Sequence, residues 1–241
     1  MRTYFSIKDR RFSAADDRLD DALEFRQNPS FIATDGALDG ASTEVKWEIA
    51  QGIADLERKV WGKIAPHFIE GPHSFMGSLM SGDDVLLGVS FADEDDAIGG
   101  PYLSYFIAEE EDLDSTLWGI TYERITGESF DDFIERIPST NPRLFYRKDQ
   151  SREDSPLAKR EHRELMDDLY DYMESEGIAF VTYARADTTY KLMKAGKQGN
   201  MVIAAESLIP DFYGPGDDCY IVMGYYVPPG YYEPEMIHST R

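Results

Sequence analysis

The sequence predicts an α/β chain in which antiparallel strand pairs and helices pack together. Three stretches carry that expectation. From residue 178 to 227, apolar β-prone runs alternate with one short helical pattern and a turn, in the order strand, helix, strand, turn, strand. Residues 84–92 and 101–108 are two further apolar runs separated by an acidic, glycine-containing loop, and they form a natural hairpin pair. Residues 42–64 repeat apolar side chains at helical spacing.

Taken in order, residues 1–40 open on Tyr4-Phe5-Ser6-Ile7, a short strand candidate. An Asp-rich stretch and the glycines Gly36 and Gly40 then break every pattern, so this part reads as an irregular N-terminal arm. The helix of residues 42–64 has Ser42 or Thr43 as N-cap, Ile49, Ile53, Leu56, Val60 and Ile64 as its buried stripe, and Pro66 as its stop. Trp47 and Trp61 widen that stripe. They are either core aromatics, the commoner use, or a platform for a ligand.

After the hairpin pair, residues 110–142 read as a helical insertion, with short amphipathic helices over 112–119 and 129–137. In the second, Phe130, Phe133, Ile134 and Ile137 share one face, and Asp131, Asp132 and Glu135 the other. Such a segment covers a site, docks a partner or simply elaborates the fold. Residues 143–147 read as a strand and 148–154 as a loop. A strong helix follows, with Ser155 as N-cap, Pro156 at the first position, Leu165, Leu169, Tyr172 and Met173 on its apolar face, and Gly177 at its end. Residues 179–184 form a strand, 188–194 a short helix, and two runs around Gly214-Pro215-Gly216 a hairpin. The main domain therefore spans 41–227. The prolines of 228–241 allow neither helix nor central strand, so the tail is expected to run extended.

With 241 residues, 42% of them hydrophobic and 13% aromatic, the chain has enough apolar material for a sizeable core. A formal net charge of -22 argues against direct nucleic-acid binding, because phosphates would be repelled from most of the surface. The acidity serves solubility, adaptation to salt, or the occupation of a basic partner as a decoy. Cys219 is the only cysteine, which excludes an intrachain disulfide and a thiolate zinc site. The four histidines show no metal-ligand spacing, and no G-x-S-x-G elbow or Walker loop occurs. No apolar run approaches membrane-spanning length and the first residues lack an apolar signal core, so a cytoplasmic location without membrane association is expected.

Asp211-Phe212-Tyr213-Gly214-Pro215-Gly216-Asp217-Asp218, followed by the strand Tyr220-Ile221-Val222-Met223, resembles the C-terminal half of the GNAT superfamily of N-acetyltransferases. The resemblance is best over the last third of the chain, loose over the middle and slight over the first. It implies an α/β fold with a mixed, mostly antiparallel central sheet flanked by helices, and transfer of an acetyl group from acetyl-CoA to an amine. The acceptor would be a small-molecule amine, such as a polyamine or an aminoglycoside, or a basic protein terminus. In the family a turn written Q/R-x-x-G-x-G/A holds the cofactor's pyrophosphate, through backbone N–H groups and a helix N-terminus. The corresponding positions are Arg152, Ser155 and Leu157. Ser155 and Leu157 depart from the pattern, Pro156 lacks an N–H, and Glu153 and Asp154 add negative charge beside it.

By the same resemblance the candidate general acid is Tyr190, against the alternative of a half-buried structural tyrosine, since the position counted back from Gly196 holds Leu192. Glu109 is the candidate base, with Glu110 and Glu111 beside it, against the plainer alternative of a solvated acidic edge. Tyr213 completes the hairpin and lines the site. Cys219, on a strand pattern, reads as buried rather than nucleophilic. The departures at the phosphate turn also fit a non-catalytic protein on the same fold, a part of a virion or an inhibitor complex, and leave a homodimer or larger assembly open.

Overall fold

The computed structural model describes residues 3–6, 10–13, 30–33, 42–63, 65–80, 85–91, 102–114, 116–151 and 156–231. In chain order the strands are β1 (Thr3–Ser6), β2 (Arg10–Ser13), β3 (Ser30–Ala33), β4 (Val85–Phe91), β5 (Tyr102–Glu111), β6 (Leu144–Ser151), β7 (Ala179–Arg185), β8 (Met201–Gly214) and β9 (Asp217–Tyr226). The helices are α1 (Thr43–Trp61), α2 (Pro72–Met80), α3 (Thr116–Thr126), α4 (Phe130–Arg136), α5 (Pro156–Glu176) and α6 (Thr189–Lys194).

The nine strands lie side by side in the order β2-β1-β3-β4-β5-β6-β7-β9-β8. Every pairing is antiparallel except β6 with β7. That exception follows from chain connectivity: parallel neighbours need a long crossover, and the 21-residue α5 supplies it. The sheet is thus mixed and mostly antiparallel, as the resemblance implies.

Helices cover both faces. Leu165, Leu169 and Met173 of α5 pack on Phe106, Phe145, Phe180 and Val222. On the opposite face, Trp118 and Tyr122 of α3 and Phe130 and Phe133 of α4 meet Leu144, Val181, Met223 and Tyr225. Strand alternation sorts the sheet residues between these clusters, so Phe145 faces α5 while Leu144 and Tyr146 face the other way. Gly177 ends α5 with φ +62°, its N–H donating to the Glu174 carbonyl while the Ile178 N–H reaches back to Met173.

Four expectations change. The first forty residues are not wholly irregular, because β1, β2 and β3 extend the sheet beyond β4; these four-residue strands gain backbone partners that only the folded sheet offers. β6 runs on to Ser151 instead of ending near Arg147, since β5 stays in register with it from Ser104 to Glu111. The first insertion helix begins at Thr116, later than expected, because the Asp112 carboxylate accepts the Asp114 N–H at 2.9 Å and forms a turn first. Neither α1 tryptophan is core: Trp47 is 37% exposed against His73, and Trp61 is half-buried on Tyr213. Residues 232–241 of the expected extended tail lie outside the described residues. Among the described residues no helix is long and apolar enough to cross a membrane.

Candidate functional site

β6 and β7 stay in register only at Leu144 with Ala179, Phe145 with Phe180 and Tyr146 with Val181. Past that point β6 remains bound to β5 as far as Ser151, and β7 to β9 as far as Arg185. Each strand follows its other neighbour, so the pair splays. The Thr182 hydroxyl spans the start of the gap, donating to the Arg147 carbonyl at 3.0 Å. Beyond it opens a crevice of about 310 Å³, bordered by residues 146–150 of β6, Thr182 and Tyr183 of β7, Glu57 and Trp61 of α1, and Phe212 and Tyr213 of β8.

The aromatic side of the crevice is built by the tip of the β8–β9 hairpin. Between the Ile209–Cys219 and Gly214–Asp217 pairs the register slips. Asp211 sits there at φ +53°, held by its N–H donating to the Asp218 carboxylate at 2.9 Å and by its own carboxylate accepting the Gly216 N–H at 2.7 Å. The bulge sends Phe212 onto Tyr183, stacked at 5.2 Å, and Tyr213 onto Trp61, stacked at 5.1 Å. Arg185 lies 5.6 Å from the Trp61 ring.

The polar side carries two carboxylates. Glu57, 8% exposed, accepts the Tyr105 hydroxyl. Burial raises its pKa and outweighs the lowering effect of that bond. Glu70 accepts Lys148 Nζ at 2.5 Å on one oxygen and the Ser74 hydroxyl at 2.6 Å on the other. Burial alone would raise Glu70, but these donors prevail and its pKa lies below the ordinary value. The phenols of Tyr146, Tyr183 and Tyr213 are all pushed up, chiefly by burial, and so stay protonated at neutral pH.

A second, outer groove of about 530 Å³ adjoins the crevice and shares Glu70 and Lys148 with it. Glu109, Glu110, Glu111 and Ser78 form its other wall. Each carboxylate there has a partner: Ser78 donates to Glu109, Arg143 pairs with Glu110 at 2.6 Å, and the Trp118 indole N–H donates to Glu111 at 2.9 Å.

The sequence-derived candidates therefore separate. Tyr213 lines the crevice, and Glu109 lies in the outer groove. Tyr190 packs on the α5 side of the sheet, stacked on Tyr220 at 3.8 Å, and is not a crevice wall. Burial and a hydrogen bond to Glu206 raise its phenol pKa. Arg152 and Ser155 lie outside the described residues, and Leu157 occupies the first turn of α5. Cys219 is fully buried, as expected. Sequence reasoning missed Glu57, Glu70 and Lys148. For Glu57 a signal existed: it sits one turn beyond Ile53, so a carboxylate interrupts the apolar side of α1.

On the α5 side, the wholly buried Arg147 binds Tyr226 at 2.5 Å, Asp149 at 3.0 Å and Gln198 at 3.3 Å, with its guanidinium over Phe106 and Phe180. Among the described residues no group of His, Cys, Asp and Glu could hold a metal ion. Chemically, the crevice offers a buried carboxylate that can take a proton, phenols that can give one, and aromatic walls that exclude water.

No family model matches the chain, and no curated protein matches it. Among solved structures it is similar to Arabidopsis thaliana NAA60 with a bisubstrate analogue, at 14% identity over 72% of this chain and 93% of that one, TM-score 0.43. A GNAT-family acetyltransferase from Streptococcus pneumoniae is similar at 10% identity over 75% and 95%, TM-score 0.45. The ribosomal-protein-S18-alanine N-acetyltransferase of Escherichia coli is similar at 12% identity over 76% and 92%, TM-score 0.40.

Proposed function

We propose that the chain is an acetyl-CoA-dependent N-acetyltransferase acting on a cationic amine acceptor. The observation that carries this is the gap where parallel strands β6 and β7 part company, lined by a buried carboxylate and phenols, in a chain whose C-terminal run resembles that family. The fit to the cofactor rests on that gap and on α5 being the next element after β6. Arg152, Ser155 and Leu157 would hold its pyrophosphate end and Tyr213 its inner end. Bound there, acetyl-CoA supplies an acetyl group activated as a thioester.

This chain's own residues do the rest. Glu57 takes the proton of the incoming ammonium and frees the nitrogen lone pair; its burial makes it a stronger base than an exposed carboxylate. Tyr183 and Tyr213 keep phenolic protons available beside the gap. The stacked aromatics keep water away from an intermediate charge distribution that water would quench. Glu70 and the acidic outer groove attract positive charge toward the opening.

The test is thermal unfolding with acetyl-CoA. A ligand bound only by the native state must raise Tm, so a rise at sub-millimolar cofactor is expected; no rise at several millimolar sinks the proposal. One observation favours the rival, a non-catalytic binding protein on the same fold: Pro156, without an N–H, is the first residue of α5, where a phosphate would seek donors. Under that rival the melting point would ignore acetyl-CoA altogether.

A further inference from the structure

The Glu70–Lys148 pair stands where the two cavities meet, and both residues line both of them. Lys148 is carried on the part of β6 beyond its last pairing with β7, directly across from Ile107 of β5. Its ammonium contacts the Glu70 carboxylate at 2.5 Å and lies 5.4 Å from the Tyr146 ring. A carboxylate on one side and an aromatic face on the other are what a protein uses to recognise an organic ammonium. Here that position is taken by the chain's own Lys148 side chain.

We propose that Lys148 is an internal stand-in for the cationic group of the acceptor, a displaceable plug between the outer groove and the crevice. This extends the amine-acceptor proposal above. An arriving alkylammonium takes Glu70 and the Tyr146 ring, and Lys148 swings away. Both partners are partly exposed, Lys148 at 30% and Glu70 at 36%, so parting them leaves no buried charge stranded. Ser74 keeps its bond to the second oxygen of Glu70 throughout the exchange. Besides this pair, the charged residues lining the two cavities are Glu57 of α1, Arg147 and Asp149 of β6, and Glu109, Glu110 and Glu111 of β5. Burial raises the Glu57 pKa, and Lys148 opposes that rise only weakly through space. Neutral amides and alcohols cannot make that exchange. The plug therefore selects for charge before an acceptor reaches Glu57.

The experiment is a titration with tetramethylammonium chloride at constant ionic strength and without acetyl-CoA. Tryptophan fluorescence reports binding, because Trp61 borders the crevice and Trp118 stacks on Tyr146. Lys148→Met should bind the cation about fivefold more tightly than the natural protein, the upper range for freeing one partly exposed ion-pair partner. Lys148→Arg should bind as the natural protein does, and Glu70→Gln more weakly. Equal or weaker binding by Lys148→Met overturns the proposal. A second measurement needs no variant: reductive methylation of Lys148, followed by peptide mass spectrometry, should quicken several-fold with the quaternary ammonium, which cannot itself be methylated. An unchanged or slower rate equally overturns it. Either failure leaves the transferase proposal to its own melting test.

Discussion

The Tyr105 hydroxyl donates to the Glu57 carboxylate across the boundary between α1 and β5, at the floor of the crevice. The donor stabilises the ionised form while burial opposes it, and burial wins. Tyr105→Phe removes the lowering contribution and leaves the raising one. The acid limb of the kcat/KM profile should therefore move to higher pH, with activity on the plateau reduced less than in Glu57→Gln, which should lose nearly all of it. Acetylation rates measured across the pH range decide this, and an unmoved limb removes Glu57 from the base's role.

Stability should respond to the same group with a definite sign. Because the folded pKa of Glu57 is raised, the native protein keeps a proton that the unfolded chain has already released. Its contribution is fully favourable below the ordinary carboxylate value and is lost as pH climbs through the raised one. Relative to the natural protein, Glu57→Gln should thus gain stability as pH rises above the ordinary carboxylate value, about 4. Paired melting curves over that range check the slope of the difference.

Arg147 is the hub of the buried polar network under α5, bonded to Asp149, Gln198 and Tyr226 with no exposed side-chain surface. Removing one member of a buried ion pair strands the other. Arg147→Ala should cost about 3–5 kcal/mol, measured by urea unfolding. A loss under ~1 kcal/mol would mean that the network is not organised around this charge.

Gly177→Ala should be far costlier than an ordinary helix-end change. The residue is at φ +62°, and an added Cβ would fall 2.6 Å from the Pro138 carbonyl oxygen, a backbone atom that cannot step aside. A loss of about 2–3 kcal/mol is expected from backbone strain and overlap together. Denaturant titration of the purified variant gives the value.

Cys219 should behave as a core side chain. It is wholly buried, and its thiol is pushed up to about 11, first by desolvation. Iodoacetamide at neutral pH should leave the native protein unlabelled and modify the denatured one completely. Rapid labelling of the native protein, seen by intact mass, would contradict that.

Local patterns in the chain determined most of its elements. The stripe of Ile49, Ile53 and Leu56, the Pro156 and Gly177 ends of the long helix, and the Gly214-Pro215-Gly216 turn each act through bonds and contacts a few residues apart, so they can be read in one dimension. Resemblance then pointed to Tyr213 as a wall of the site. The tertiary structure alone decided the rest. β6 passes its expected end because β5, some forty residues earlier, offers it a partner. Glu57, Glu70 and Lys148 come from three separate segments, and nothing in their local sequence says that they face one crevice. A pKa, an ion pair or a strand's last residue depends on neighbours brought from far along the chain, and only folding supplies those neighbours.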